Sequence, residues 1–363
     1  MIGCGSASSQ ELYSKGPGKP TRGPSSCAYG VAMEMTNARI TLAQRPSGSL
    51  DASCFAPEAV GPLPQLGPGE ALGKVEWLSI DPTIRMWMAM DTYLPAIEIG
   101  APIRSAGLVR VVESDNPNIP VGTLVFSTPG WQEYAVVSER DQVVPEGVDP
   151  TAALSIFGIT GITAYFGLLD IGRPSEGDTV VVSGAAGSTG SIVGQIAKIK
   201  GCRVIGIAGT DEKCAWLTDE LGFDGAINYR TENVAKALRD HCPDGINVYF
   251  DNVGGDILEM AIANLALHGR IVMCGAISQY NDDAPTPGPR NLSALISKRG
   301  RIEGFIVLDY LKRSGEAIQD LATWLMEGKL TYKVDVMEGL ESAPEALMRL
   351  FSGANAGKMM VRL

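Results

Sequence analysis

The chain has 363 residues, 41 acidic and 30 basic, for a net charge of -11; 45% are hydrophobic and 20% charged. That length fits two domains at roughly 150 residues each. The apolar fraction can fill a sizeable core, which excludes globally disordered, collagen-like and coiled-coil chains. With no Lys/Arg-rich run, neither nucleic acid nor an anionic membrane is an expected partner. Only two histidines, His241 and His268, are present, which restricts metal sites and histidine-based triads. Seven scattered cysteines without a C-x-x-C pair speak against a disulfide framework or a zinc ribbon and fit a reducing cytoplasm.

Residues 1–37 are read as a disordered leader, because the Gly/Ser/Pro-rich segment 1–32 buries too little to offset its ordering entropy. Order is expected from the alternating pattern Ala38-Arg39-Ile40-Thr41-Leu42. Short strand signals follow at Ala71–Ile80, Leu108–Glu113, Thr123–Phe126 and Gln132–Val137, interrupted by Pro and Gly, as in a small, mostly β domain. Residues 150–169 form a stretch of 20 without a formal charge. Its internal Thr, Ser and Gly and its lack of a basic flank favour buried helices at a domain junction over a membrane span.

Beyond Gly177 strands and helices alternate. Thr179–Ser183 is a continuous apolar strand, Ser188–Lys200 has helical periodicity, and Arg203–Ile207 is the next strand. Gly225–Asn228, Ile246–Asp251, Arg270–Met273 and Ile302–Val307 continue the series. Near-continuous Val/Ile runs separated by helices imply a parallel sheet covered on both faces. The tail contains two helices, Gly315–Met326 and Ser342–Ser352, and a final strand, Lys358–Leu363.

Chemistry concentrates first in Val180-Val181-Val182-Ser183-Gly184-Ala185-Ala186-Gly187-Ser188-Thr189-Gly190. Glycines in a strand-to-helix turn let the backbone approach a pyrophosphate seated on the helix N-terminus. The spacing G-x-x-G-x-x-G is weak alone; the strand before and helix after give it weight. An NAD site usually ends its second strand in Asp or Glu. Here that strand ends Ala208-Gly209-Thr210, and Asp211 and Glu212 read as first-turn residues of the next helix. Lys213 can reach a 2′-phosphate, which favours NADP over NAD. Two later strand ends, Asp251-Asn252-Val253-Gly254-Gly255 and Gly275–Asn281, lie where ligands of open α/β sheets bind.

These motifs, with Leu78-Ser79-Ile80-Asp81-Pro82 upstream and Asn355-Ala356-Gly357-Lys358 downstream, resemble the zinc-independent medium-chain dehydrogenases/reductases. More narrowly, the chain resembles the NADPH-dependent prostaglandin/leukotriene and alkenal double-bond reductases. The resemblance covers about residues 38–363. It implies an α/β protein: a Rossmann doubly wound parallel sheet over 151–307, and a GroES-like mostly-β substrate domain from 38–150 and 308–363. It implies NADP(H) contacts at Gly187, Ser188, Thr189, Gly190, Lys213, Tyr229, Asn252, Cys274, Gly275, Ala276, Ile277, Ser278, Gln279, Tyr280, Phe305, Ile306, Val307 and Asn355. The family is often dimeric, so a homodimer is expected, and its zinc-independent branch implies no metal. Many members have Tyr directly after the Asp-Pro; this chain has Thr83.

The expected reaction is reduction of the carbon–carbon double bond of α,β-unsaturated aldehydes or ketones. Hydride would pass from the nicotinamide to the β-carbon, and Tyr280 is the candidate donor to the resulting enolate oxygen. Tyr280 or water would protonate the α-carbon. Quinone reduction uses the same hydride donor, and a non-catalytic NADPH-binding protein is the alternative of another class. The zinc branch needs Cys/His ligands that this chain does not supply in the first domain.

Overall fold

The computed structural model describes residues 36–58, 61–282, 284 and 286–363. Most of the expected leader therefore lies outside the described residues. Thr36 and Asn37 do not: Thr36 bridges Pro62, and the buried Asn37 donates its backbone N–H to Gly61 O and accepts from Tyr134 N–H.

The first part of the chain builds β1 (Arg39–Leu42), β2 (Phe55–Glu58), β3 (Ala71–Ser79), β4 (Gly107–Ser114), β5 (Leu124–Ser127), β6 (Tyr134–Val137) and β7 (Gln142–Val143). β3 pairs antiparallel with β4 and β6, and β4 with β5, so their alternating apolar residues face one core around Val75, Val109, Val125 and Trp131. A helix that the strand pattern did not suggest, α1 (Thr83–Ala89), follows β3. Pro82 precedes it with φ -58 and ψ -29, already helical, and Ile84 and Met88 one turn apart are buried.

The uncharged stretch folds as α2 (Pro150–Leu154) and α3 (Ile159–Phe166), the latter continuing as a π-helical turn over Gly167–Gly172. Among the described residues no helix is long and apolar enough to cross a membrane. Then β8 (Thr179–Ser183), α4 (Ser188–Ile199), β9 (Arg203–Ala208), α5 (Asp211–Ala215), β10 (Gly225–Asn228), α6 (Val234–His241), β11 (Ile246–Asp251), α7 (Gly255–Ala263), β12 (Leu265–Met273), α8 (Ala294–Lys298) and β13 (Arg301–Gly304) alternate. Their strands form an all-parallel sheet in the order β10-β9-β8-β11-β12-β13. This is the doubly wound Rossmann order, in which the strand sequence reverses direction beside the first strand, here β8. β13 ends at Gly304, short of the expected Val307, because Phe305–Val307 turn away from the sheet.

The tail supplies α9 (Ser314–Met326), β14 (Val334–Glu338), α10 (Ala343–Ser352) and β15 (Lys358–Arg362). It contributes to both cores. Ala317, Leu321 and Trp324 of α9 pack with Phe166, Val182 and Ile196, whereas Leu347, Met359 and Val361 join Val75 and Val109. β15 pairs antiparallel with β3, so the last strand of the chain completes the mostly-β sheet.

Lys358 opens β15 and is 2% exposed. Its ammonium donates to Asp81 Oδ1 at 2.5 Å and to Ile80 O at 3.3 Å, and Ser79 Oγ donates to Asp81 Oδ2. A buried charge that loses its partner is costly, but Asp81 is 26% exposed and can recover part of its hydration. Lys358→Met should therefore lose about 2–4 kcal/mol in urea unfolding. Adding Asp81→Asn should cost less than the sum of the two single changes, because the orphaned carboxylate is then neutral. Additive losses would show that the pair is not coupled.

Candidate functional site

A cleft of about 380 Å³ runs along the C-terminal ends of the parallel strands and reaches the turn after β3. Its floor is the β8–α4 loop. Gly184 has φ +56, in the left-handed region that favours glycine, and a Cβ on Gly190 would come 2.4 Å from Gly184 O. These two glycines let loop and helix close on each other. Gly187 caps α4 without a side-chain bond, so the first amides of the helix, at Ser188, Thr189 and Gly190, have no intrahelical acceptor. Ser188 Oγ is buried and without a hydrogen-bond partner. Free amides, a helix N-terminus and an orphaned hydroxyl make a donor set that suits a pyrophosphate.

At the end of β9, Thr210 Oγ1 accepts from Lys213 N–H and caps α5. Asp211 accepts from Asn228 Nδ2, so it serves the helix start rather than a ribose. Lys213 Nζ donates to Gly353 O at 2.8 Å, and Arg230 Nη2 donates to Ser352 O at 3.2 Å; both carbonyls belong to the C-terminal end of α10. Burial, and then the neighbouring Arg230, push the Lys213 ammonium below its ordinary value. Lys333 and Arg230 line an adjoining hollow that shares Lys213. Tyr229 lies beside Gly209, where a Cβ would come 3.0 Å from the ring, and Arg230 sits over that ring at 5.8 Å. The arrangement is a cationic recess suited to a phosphate.

The opposite end of the cleft is rich in hydroxyls, and its charged lining residues, Asp81 and Lys358, are paired with each other. Asp251, fully buried, accepts at one oxygen from Ser183 Oγ, Tyr249 OH and the amides of Val253 and Gly254. Desolvation outweighs these bonds and raises its pKa. The result fixes the turn that carries Asn252, whose amide side chain donates to Ser183 O. After β12, Cys274 and Gly275 reach the cleft, while Ser278 Oγ donates to Val253 O and anchors the loop. Tyr280 OH accepts from Ala276 N–H at 3.2 Å, and desolvation raises its pKa. It therefore stays protonated, with its own proton available to an acceptor in the cleft.

Of the residues singled out from the sequence, Gly187, Ser188, Thr189, Gly190, Lys213, Tyr229, Asn252, Cys274, Gly275, Ile277, Tyr280, Phe305, Ile306, Val307 and Asn355 line this one cleft. Ala276, Ser278 and Gln279 are not among the lining residues; they hold the loop that presents Tyr280. Sequence reasoning passed over Tyr93, Ile159, Thr163, Arg230, Gly353 and the buried Lys358. Arg230 had a readable signal, a second cation two strands from the phosphate turn and adjacent to Tyr229. Tyr93 had none, because it sits in a Pro- and Thr-containing loop without periodicity. Among the described residues no group of three His, Cys, Asp or Glu side chains could hold a metal ion.

Comparison with known proteins agrees with this architecture. Residues 38–144 match the family described as N-terminal domain of oxidoreductase, and residues 188–325 the family described as zinc-binding dehydrogenase. The chain is 39% identical over 336 residues to the NADPH-dependent curcumin reductase of Escherichia coli, covering 90% of this chain and 97% of that protein. It is 41% identical over 301 residues to the NADP(+)-dependent 2-alkenal reductase of Nicotiana tabacum, covering 81% and 88%. The crystal structure of CurA from Vibrio vulnificus in complex with NADPH superposes with a TM-score of 0.86 at 40% identity, covering 90% and 98%. The chain belongs to the medium-chain dehydrogenase/reductase family, in its zinc-independent branch of NADP-dependent oxidoreductases.

Proposed function

We propose that the protein reduces the carbon–carbon double bond of α,β-unsaturated aldehydes and ketones with NADPH. NADP(H) is the cofactor; when bound, it supplies the hydride. The amides of Ser188, Thr189 and Gly190 would hold its pyrophosphate, Lys213, Arg230 and Tyr229 its 2′-phosphate, and Asn252, the Cys274–Gly275 turn and Phe305–Val307 its nicotinamide end. Relatives named for alkenal and curcumin reduction support the reaction class. A cytoplasmic homodimer belongs to the same reading, and the dispersed free thiols fit that compartment.

The observation that carries the proposal is Tyr280. Its oxygen is already engaged by Ala276 N–H, which leaves its proton to be donated to the substrate carbonyl. Negative charge develops on that carbonyl oxygen as the β-carbon is reduced. A donor held in place before the reaction stabilises the charge without reorganising. Tyr280 is the catalytic residue of this reading.

Three measurements test it. With NADPH, turnover of a panel of enals and enones should give the saturated carbonyl as product; allylic alcohols as products would overturn the reading. Tyr280→Phe should lower kcat by between about 10- and 10³-fold with a near-normal NADPH dissociation constant; unchanged kcat would remove Tyr280 from the mechanism. Lys213→Ala should weaken NADPH binding by about 10- to 150-fold and leave NADH binding nearly unaffected. Equal losses for both cofactors would assign Lys213 to the fold alone.

A further inference from the structure

One buried acid at the reacting end takes no part in the reaction described above. Asp251 ends β11 and has no exposed surface. Its Oδ1 accepts from Ser183 Oγ at 2.9 Å, from Tyr249 OH at 3.1 Å, and from the amides of Val253 and Gly254 at 3.0 and 2.9 Å. None of these donors is a cation, and Oδ2 is buried with no hydrogen-bond partner. A neutral acid would carry a proton there with no acceptor to receive it, whereas four donors on the other oxygen suit the ionised form. Burial raises the Asp251 pKa, and the same four bonds oppose the rise. The carboxylate is a negative charge held by neutral dipoles.

That charge stands directly behind the cleft wall. Asn252, the next residue, lines the cleft. The Asp251 carbonyl accepts from the amides of Cys274 at 2.9 Å and Gly275 at 3.0 Å, and both of these residues line it too. Its field is felt there: after desolvation, the Asp251 charge is what raises the Cys274 thiol pKa. At Tyr280, where desolvation again leads, Asp251 is the last of the causes. Asp81 and Lys358, the other charged residues lining this end, are paired with each other.

Hydride transfer separates charge. One proton and two electrons leave C4 of NADPH and form a C–H bond at the β-carbon. One positive charge remains on the nicotinamide ring and one negative charge on the substrate oxygen, until the α-carbon takes a proton. Tyr280 answers the negative charge. We propose that Asp251 answers the positive one: its carboxylate, fixed behind the wall of Asn252, Cys274 and Gly275, favours the oxidised cofactor over the reduced one. Bound NADPH is thereby a stronger hydride donor. This inference rests on the placement of the nicotinamide at that wall and deepens the reading above. Asp251 acts through its field and not by contact, which a desolvated, preorganised wall transmits over several ångströms.

Dissociation constants of NADP⁺ and NADPH, measured without substrate, test the proposal. The two forms share the pyrophosphate and the 2′-phosphate, so the ratio of their constants reports the nicotinamide ring. In the unmodified protein NADP⁺ should bind at least as tightly as NADPH; weaker binding of NADP⁺ overturns the proposal without recourse to a variant. Asp251→Asn is isosteric, keeps an oxygen for the two amides and removes the charge. In this variant NADP⁺ should weaken relative to NADPH by about 3- to 30-fold. Equal weakening of both forms, or an unchanged ratio, overturns the proposal and leaves Asp251 a brace of the turn. The expected ratios in a protein that reduces no enone would uphold the charge effect and overturn the reaction class instead.

Discussion

The geometry of the cleft depends on a single dipeptide, Gly357-Lys358. The Gly357 N–H donates to Ala186 O in the glycine loop, and Gly357 bridges Gly187. At φ +72, with Lys333 O only 2.1 Å from where a Cβ would be, no other residue fits there. The next side chain, Lys358, runs the other way into the turn after β3 and holds Asp81. One extended stretch thus fastens the glycine loop after β8 to the segment that carries Pro82 and Thr83. Burying an ammonium is unfavourable unless it is paired and hydrogen-bonded; here it is both, which makes the fastening specific in register. Because β15 comes last in the chain and pairs with β3, some 280 residues earlier, the cleft cannot be complete before the C-terminal strand has docked.

The two ends of the cleft divide the electrostatic work. The molecule as a whole is anionic, at -11, yet the recess beside β9 collects Lys213, Arg230 and Lys333. Lys213 and Arg230 lean on carbonyls at the C-terminal end of α10, which favours cations but does not neutralise them. The Lys213 pKa is pushed down by burial and then by Arg230, and the nearby Asp335 acts against them without cancelling them. A dianionic phosphate bound there would offset both by favouring the charged ammonium. The mutual repulsion that costs stability without the ligand thereby becomes affinity with it.

Much of this was legible in the residues. The unbroken Val180–Val182 run, the periodicity of Ser188–Ile199 and the boundaries of β10 and β11 could be read directly, because strands buried on both faces have no polar alternation to confuse the period. The glycine loop was legible for the same local reason. What could not be read is non-local. α1 has no side-chain cap, and its seven residues are too few to establish a helical period. Leu265–Gly269 joins β12 only through a register shift against β11, with His268 at φ +62. Lys358 reads as an ordinary lysine at a strand start; its burial follows from Asp81 arriving 277 positions away in sequence. Tyr93 is placed by Trp87 and Arg104, contacts that no sequence period encodes.

The end of the cleft lined by Cys274 and Tyr280 also bears on a chemical hazard of the proposed reaction. Enals and enones are electrophiles that a thiolate attacks at the same β-carbon that is to be reduced, and Cys274 lines the cleft. Desolvation, and then the neighbouring Asp251, push its thiol up to about 12. At pH 7 only about one part in 10⁵ is thiolate, and the thiolate is the nucleophile. Desolvation also raises the Tyr280 pKa and keeps its proton. The same desolvation therefore holds both the thiol and the phenol in their protonated forms. Neutral donors suffice at this end because the charge to be stabilised exists only during the reaction. The cations Lys213, Arg230 and Lys333 gather at the other end, where the proposal puts the cofactor's 2′-phosphate.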